Sequence, residues 1–211
     1  MGIGGLGIPN APTSLAESRE FVRDVLEHNK DCIVIVDQTY VDFAQSGIDC
    51  LDMINQYDNL LITHTFSKSR SMAGMRIGEA YGSAELIKYM LAVKDSYNSY
   101  PVNRLSIETG VASVADEEYF QSTLKKIIAT RENTAQQLKE LGFDVPQSQT
   151  NFLFVTHPRY SAKEIFEYLR EKGIFIRFFN KPRIDDRLRI TIGTDDEMAQ
   201  MISEIKAFMG K

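Results

Sequence analysis

The chain has 211 residues, 43% of them hydrophobic and 25% charged, with a formal net charge of −5. That is ordinary globular composition, long enough to bury one large core or two small ones. The acidic balance and the lack of any basic run exclude a nucleic-acid footprint, and no apolar stretch approaches the roughly 18 residues of a membrane span. The opening MGIGGLGIPNAPTS lacks the basic n-region and long apolar run of a signal peptide, so a cytoplasmic protein is expected. Its glycine-rich first eight residues read as either an added leader or a join to sequence further upstream. Residues 14–29 read as a helix, with Leu15, Phe21, Val22, Val25 and Leu26 near helical spacing and Ser14 as its N-cap. CIVIVD (32–37) is a β-branched run ending on an acid, the pattern of a buried parallel strand with a functional residue at its C-terminal end. Residues 49–57 suggest a short helix, LLITHTF (60–66) a second buried strand and RIGEAYG (76–82) a third. Cys32 and Cys50 fall in such segments and read as buried thiols rather than a disulfide or metal ligands.

Residues 83–94 follow as a helix, then 102–115 and 117–141 after the break at Pro101, with Gly142 closing the last. Beyond it, NFLFVTH (151–157), IFIRFF (174–179) and RLRITIG (187–193) read as strands, and 161–172 and 195–209 as helices. The expected fold is α/β in two units. Residues 1–141 form a mostly parallel sheet with flanking helices, and residues 142–211 a small α+β domain ordered β-β-α-β-β-α or similar.

Three features carry chemistry. Lys68 lies in TFSKSRSMAGMRIG (65–78) directly after a strand, among Ser67, Ser69 and Ser71 and eight residues before Arg76. Hydroxyls with an arginine are what a dianionic phosphate requires, and a partly desolvated amine there suits imine formation. Alone, such a lysine also fits a solvated loop. Asp37 ends CIVIVD, with Tyr40 three residues on. The acid by itself fits a helix cap, and the tyrosine a packed aromatic. Arg189 shares a strand face with Arg187, opposite Ile190 and Ile192; it fits either an exposed salt-bridge partner or a bidentate clamp on a carboxylate.

PNAPTS (9–14), VDQTY (36–40), TFSKSRSMAGMRIG (65–78), KDSYNSYPVNRLS (94–106) and LRITIGT (188–194) occur in that order. Together they resemble the fold-type I aminotransferases that use pyridoxal 5′-phosphate (PLP), and most of all their histidinol-phosphate subgroup. The likeness runs from Pro9 to the end of the chain. It implies that Lys68 carries the cofactor as a Schiff base and shuttles a proton between Cα and C4′. It also implies that Asp37 pairs with the pyridinium nitrogen, that Tyr40 bonds the cofactor's phenolate oxygen, and that Ser67, Arg76 and Thr65 bind its phosphate. Arg189 would hold the substrate α-carboxylate, and Arg177 the distal phosphate of histidinol phosphate. The implied reaction is histidinol phosphate with 2-oxoglutarate, in histidine biosynthesis, by a homodimer. Aromatic amino acid transamination and phosphothreonine decarboxylation are the related chemistries, and a fragment without activity of its own is the non-enzymatic alternative.

The family's asparagine stands directly before the proline of its N-P-T-G turn. Here Ala11 is at that position, Asn10 is the nearest candidate for the cofactor contact, and Ser14 replaces the turn's glycine. D-E-A-Y appears as Asp37-Gln38-Thr39-Tyr40. The resemblance also implies a long upstream segment that supplies a phosphate-binding loop and a stacking aromatic. None of it is in these 211 residues, so exposed sheet edges or apolar surface are expected.

Overall fold

The computed structural model describes residues 2–210. Their contacts divide into two compact units, Met1–Asn10 with Ala16–Ser122, and Ala11–Leu15 with Thr123–Lys211. The expected boundary at 141/142 stands at the end of a long helix, whereas this division falls inside it.

In the first unit, β1 (Gly2–Gly7), β2 (Cys32–Asp37), β3 (Leu60–Thr65) and β4 (Gly78–Gly82) form one sheet in sequence order. β1–β2 and β2–β3 are parallel, and β3–β4 is antiparallel. The β-branched runs make the central strands. Val34, Val36, Leu60 and Ile62 turn inward and pack with Val22 and Leu26 of α1 (Arg19–His28), one helical turn apart on a single stripe. The glycine-rich opening is a strand, placed by its register from Gly2↔Cys32 to Gly7↔Asp37. The segment expected as a short helix at 49–57 is a 3₁₀ turn, Leu51–Asn55. β4 starts at Gly78 rather than residue 76, because Arg76 sits in the left-handed region at φ 57°. Cys50 is buried and Cys32 only half-buried; both are free thiols. α2 (Ala84–Tyr97) and α3 (Arg104–Ala115) are capped by Ser83 and Asn103. They leave Val93, Ile107, Val111 and Val114 exposed, while Ile3 on the edge strand β1 is 72% exposed. The expected edge and apolar surface are thus present.

The helix expected over 14–29 begins five residues later. Ser18, not Ser14, is its N-cap and accepts from the Phe21 amide. Ser14 instead belongs to the second unit, fully buried at φ 64°, its carbonyl accepting from the Gln149 amide. Its hydroxyl is buried with no hydrogen-bond partner. A left-handed residue carrying a buried, unbonded hydroxyl is under two penalties, and glycine removes both. Ser14→Gly is expected to stabilise the protein by about 1 kcal/mol after the backbone entropy of glycine is subtracted. A thermal melt should show a rise of about 2–4 °C, and a fall would mean that the turn tolerates serine without strain.

In the second unit, α4 (Glu117–Leu141) contributes from Thr123 onward and ends at Gly142, whose φ of 99° closes the helix. β5 (Phe152–Thr156), β6 (Arg177–Phe178) and β7 (Arg187–Thr191) form an antiparallel sheet ordered β5-β7-β6. α5 (Ala162–Glu171) starts on Ser161. α6 (Asp195–Phe208) starts on a reciprocal capping box between Thr194 and Glu197. Leu138, Leu153, Val155, Ile165, Leu169, Leu188, Ile190 and Ile205 form the core. The strand expected ahead of β5 shrinks to one bridge, Asp144↔Thr156. The six-residue strand expected over 174–179 shrinks to two residues, since Ile174 and Ile176 pack into the core rather than extending the ladder.

Candidate active site

Two parallel strands deliver the first unit's candidate groups at their C-terminal ends, where an open α/β sheet places its ligand chemistry. Asp37 closes β2 level with Gly7 on one side and Thr63 on the other. Its Oδ1 accepts from the Thr39 amide at 3.0 Å and the Thr39 hydroxyl at 2.6 Å, an Asx-type turn that leaves the carboxylate exposed. The turn leads to Tyr40 and the 3₁₀ segment Val41–Phe43. Phe43 is buried and anchors it.

The lysine loop follows β3. Thr65 donates to the Ile77 carbonyl (3.4 Å) and accepts from the Ser67 amide (3.1 Å). Ser71 N–H bonds the Lys68 carbonyl, and Met72 N–H bonds the Phe66 carbonyl, both at 3.0 Å. These bonds hold Lys68 at the apex of a closed turn. Its Nζ stands 5.9 Å from the centre of the Tyr40 ring, so two candidates 28 positions apart come together. Lys68 is exposed, so the partial desolvation expected of it is not provided by the described residues. Among the flanking serines, Ser67 is half-buried and Ser71 exposed, while the Ser69 hydroxyl is committed to Asp42. Arg76 is exposed and donates from Nη1 to the Ala73 carbonyl at 2.9 Å. Asn10 returns to the end of β1, where a side chain on Gly7 would stand 3.4 Å from its Nδ2.

A cavity of about 260 Å³ in the same unit is lined by Gln38, Asp42, His64, Ser69, Arg70 and Tyr81, among others, but not by Asp37 or Lys68. Burial, and then the Glu79 carboxylate to which it donates, push the Tyr81 phenol up to about 12. In its satisfied orientation the buried Gln38 amide donates to Asp49 at 2.9 Å and accepts from the Cys50 amide at 3.1 Å. Asp42 had no signal in the sequence that tied it to the lysine.

Arg177 and Arg189 belong to the second unit and are paired across β6 and β7. Arg187 and Arg189 share one face of β7, while Leu188 and Ile190 are buried on the other. Arg187 is matched by Asp144 at 4.0 Å and Asp186 at 3.9 Å. Arg189 has no ion pair among the described residues. Its guanidinium lies 5.2 Å from the Phe152 ring centre, and its Nε is buried without a hydrogen-bond partner. A buried unmatched donor is costly, so this arginine is set to receive an acceptor. Arg177 is exposed and lies 5.6 Å from the Phe179 ring centre. Among the described residues no group of three or more His, Cys, Asp or Glu could hold a metal ion, and no helix is long and apolar enough to cross a membrane.

The α/β scaffold thus carries an amine, a carboxylate and a phenol at the ends of neighbouring strands. Residues 6–205 match the model of the class I and II aminotransferases, and the chain belongs to that family. It is 48% identical over 208 residues to the histidinol-phosphate aminotransferase of Lactococcus lactis subsp. cremoris, an alignment covering 98% of this chain and 58% of that protein. In fold it is similar to the histidinol-phosphate aminotransferase of Clostridium acetobutylicum (TM-score 0.90, 21% identity, 99% of this chain and 64% of that one). It is likewise similar to that of Sinorhizobium meliloti, solved with pyridoxal 5′-phosphate (TM-score 0.88, 22% identity, 98% of this chain and 58% of that one). The chain spans a little over half the length of the curated relatives it matches.

Proposed function

We propose that this chain is the PLP-bearing part of an aminotransferase acting on histidinol phosphate, with 2-oxoglutarate as the acceptor, in a soluble cytoplasmic homodimer. The observation that carries the reading is the approach of Lys68 to the Tyr40 ring, on loops leaving adjacent parallel strands. The residues present fit the cofactor by the chemistry of their donors. Lys68 offers an amine, Asp37 an exposed carboxylate, Tyr40 a phenol, Arg76 an exposed guanidinium and Ser67 a half-buried hydroxyl. When bound, PLP supplies the electron sink that makes a substrate's Cα proton removable.

The chain's own groups do the rest. Lys68 Nζ would hold the cofactor covalently and would serve as the general base that takes the proton from the substrate Cα. Asp37 would keep a proton on the ring nitrogen by charge pairing. Tyr40 would donate from its phenol to the ring oxygen, with Asn10 as a second donor. Ser67 and Arg76, with Thr65, would hold the phosphate. Arg189 would hold the substrate carboxylate, its Nε being a donor that the described residues leave unmatched. Arg177 is assigned to the distal phosphate, which would distinguish histidinol phosphate from an aromatic amino acid.

The test mixes the chain with PLP, fixes the product with borohydride, and maps the label by peptide mass. Label on Lys68 is expected; label spread over several lysines, or none, would reject the assignment. Transamination should then run faster on histidinol phosphate than on phenylalanine, the reverse order pointing to an aromatic substrate. A second reading, a chain without activity of its own, is favoured by the exposed apolar positions Val93, Ile107 and Val111. It predicts a folded chain that gives no label at all.

A further inference from the structure

We propose that the hydrogen bond between Asp42 and Ser69 is a positioning device that sets Lys68 against Tyr40, an inference that rests on the function proposed above. Ser69 follows Lys68 directly in sequence, and Asp42 lies two residues after Tyr40. The Ser69 hydroxyl donates to Asp42 Oδ2 at 2.5 Å, bridging 27 positions between the two loops that carry the amine and the phenol.

Each end of the bridge is anchored. Asp42 sits within the 3₁₀ segment Val41–Phe43, which directly follows Tyr40 and is fixed by Phe43, only 1% exposed. Ser69 is 4% exposed, so its hydroxyl cannot turn to solvent for another partner. On the far side Arg70 donates to the Ser113 carbonyl of α3 at 2.7 Å, and its guanidinium stacks 4.0 Å from the centre of the Phe120 ring. Ser69 and Arg70 thereby clamp one flank of the lysine turn between the Tyr40 segment and the helices. Lys68 itself is exposed, and among the described residues its side chain has a contact at Tyr40 alone to define its place. Backbone clamping is what fixes the origin of such a long, mobile side chain. A reactive group misplaced by about 1 Å loses rate steeply.

The test compares the parent with Ser69→Ala, Asp42→Ala, the double variant and Asp42→Asn. The asparagine keeps a carboxamide oxygen to accept from Ser69, so it should rescue. Asp42 is exposed, so its variants carry the test even where Ser69→Ala fails to fold. The first readout is amide hydrogen exchange without cofactor. Asp42→Ala should speed exchange across residues 66–72, and Ser69→Ala across 40–44, a reciprocal effect at a distance. The second readout is PLP captured on Lys68 by borohydride, with the visible circular dichroism of the bound cofactor. Each alanine variant should weaken capture about tenfold, the double no further than either single, and Asp42→Asn should recover it.

Exchange changes confined to the mutated loop, or additive losses in the double variant, overturn the proposal. A parent that captures no PLP on Lys68 overturns the functional reading instead, and the exchange data still decide whether the pair couples the loops.

Discussion

Replacing Lys68 with alanine is expected to abolish covalent capture of PLP and to lower single-turnover transamination by at least about 10³-fold, with the melting temperature lowered by no more than about 2–4 °C. The two halves of this expectation come from different features of the residue. Lys68 is exposed and lies in a turn whose bonds are all made by backbone atoms or by Thr65, Ser69 and Arg70. The side chain adds only its contact with the Tyr40 ring at 5.9 Å, worth about 0.5–1 kcal/mol at an exposed position. Its removal therefore has little to destabilise. In the proposed function the chemistry depends on it twice, as the amine that holds the cofactor and as the base that moves the Cα proton. No nearby group replaces it. Arg70 and Arg76 are guanidiniums that neither form imines nor give up a proton near neutral pH. Borohydride trapping, single-turnover rates and a thermal melt on the same preparation separate the cases. A variant that keeps its rate removes Lys68 from the mechanism. A variant that loses rate together with several degrees of melting temperature shows a fold defect.

Much of the scaffold was legible in the residues, for identifiable reasons. CIVIVD and LLITHT announce themselves as strands because β-branched runs suit a buried parallel sheet. β1 does not, because GIGGLG carries four glycines and only its pairing with β2 makes it a strand. Ser14 and Ser18 are equally good caps by residue type. Burial and a left-handed φ at Ser14 exclude it, and neither can be read from composition. IFIRFF alternates convincingly, yet only Arg177 and Phe178 find a ladder partner in β7.

The site divides in the same way. The order of motifs pointed to Lys68, Asp37 and Tyr40 as a group, and the approach of Lys68 to Tyr40 follows from β2 and β3 being parallel neighbours. The exposure of Lys68 was not legible, since it depends on what packs over the loop. Asp42 stayed hidden because its link to Ser69 joins two loops with no sequence relation. The contrast between Arg187, matched by two acids, and Arg189, with its Nε unmatched, appears only in three dimensions, although both read alike in RLRIT.

Asp37→Asn should keep the fold and lower the transamination rate by about 10²-fold. In the proposed function the carboxylate has two separable duties. One is structural: Oδ1 accepts from the Thr39 amide and hydroxyl and shapes the turn toward Tyr40. An asparagine carbonyl oxygen takes over both bonds, since Asx turns accept either residue. The other is electrostatic, and it needs the negative charge. A charge-assisted hydrogen bond is worth about 1.5–3 kcal/mol, and at 1.36 kcal/mol per decade of rate its loss amounts to about 10- to 150-fold. Asp37→Ala removes both duties, so it should show the same chemical defect plus a lower melting temperature, as the Thr39 amide and hydroxyl lose their partner. The pair of variants thus assigns the effect: asparagine and alanine equally slow but differing in stability supports the two-duty reading. An asparagine variant as fast as the parent would show that the ring nitrogen does not depend on Asp37. The acid at the end of CIVIVD would then be a turn residue only.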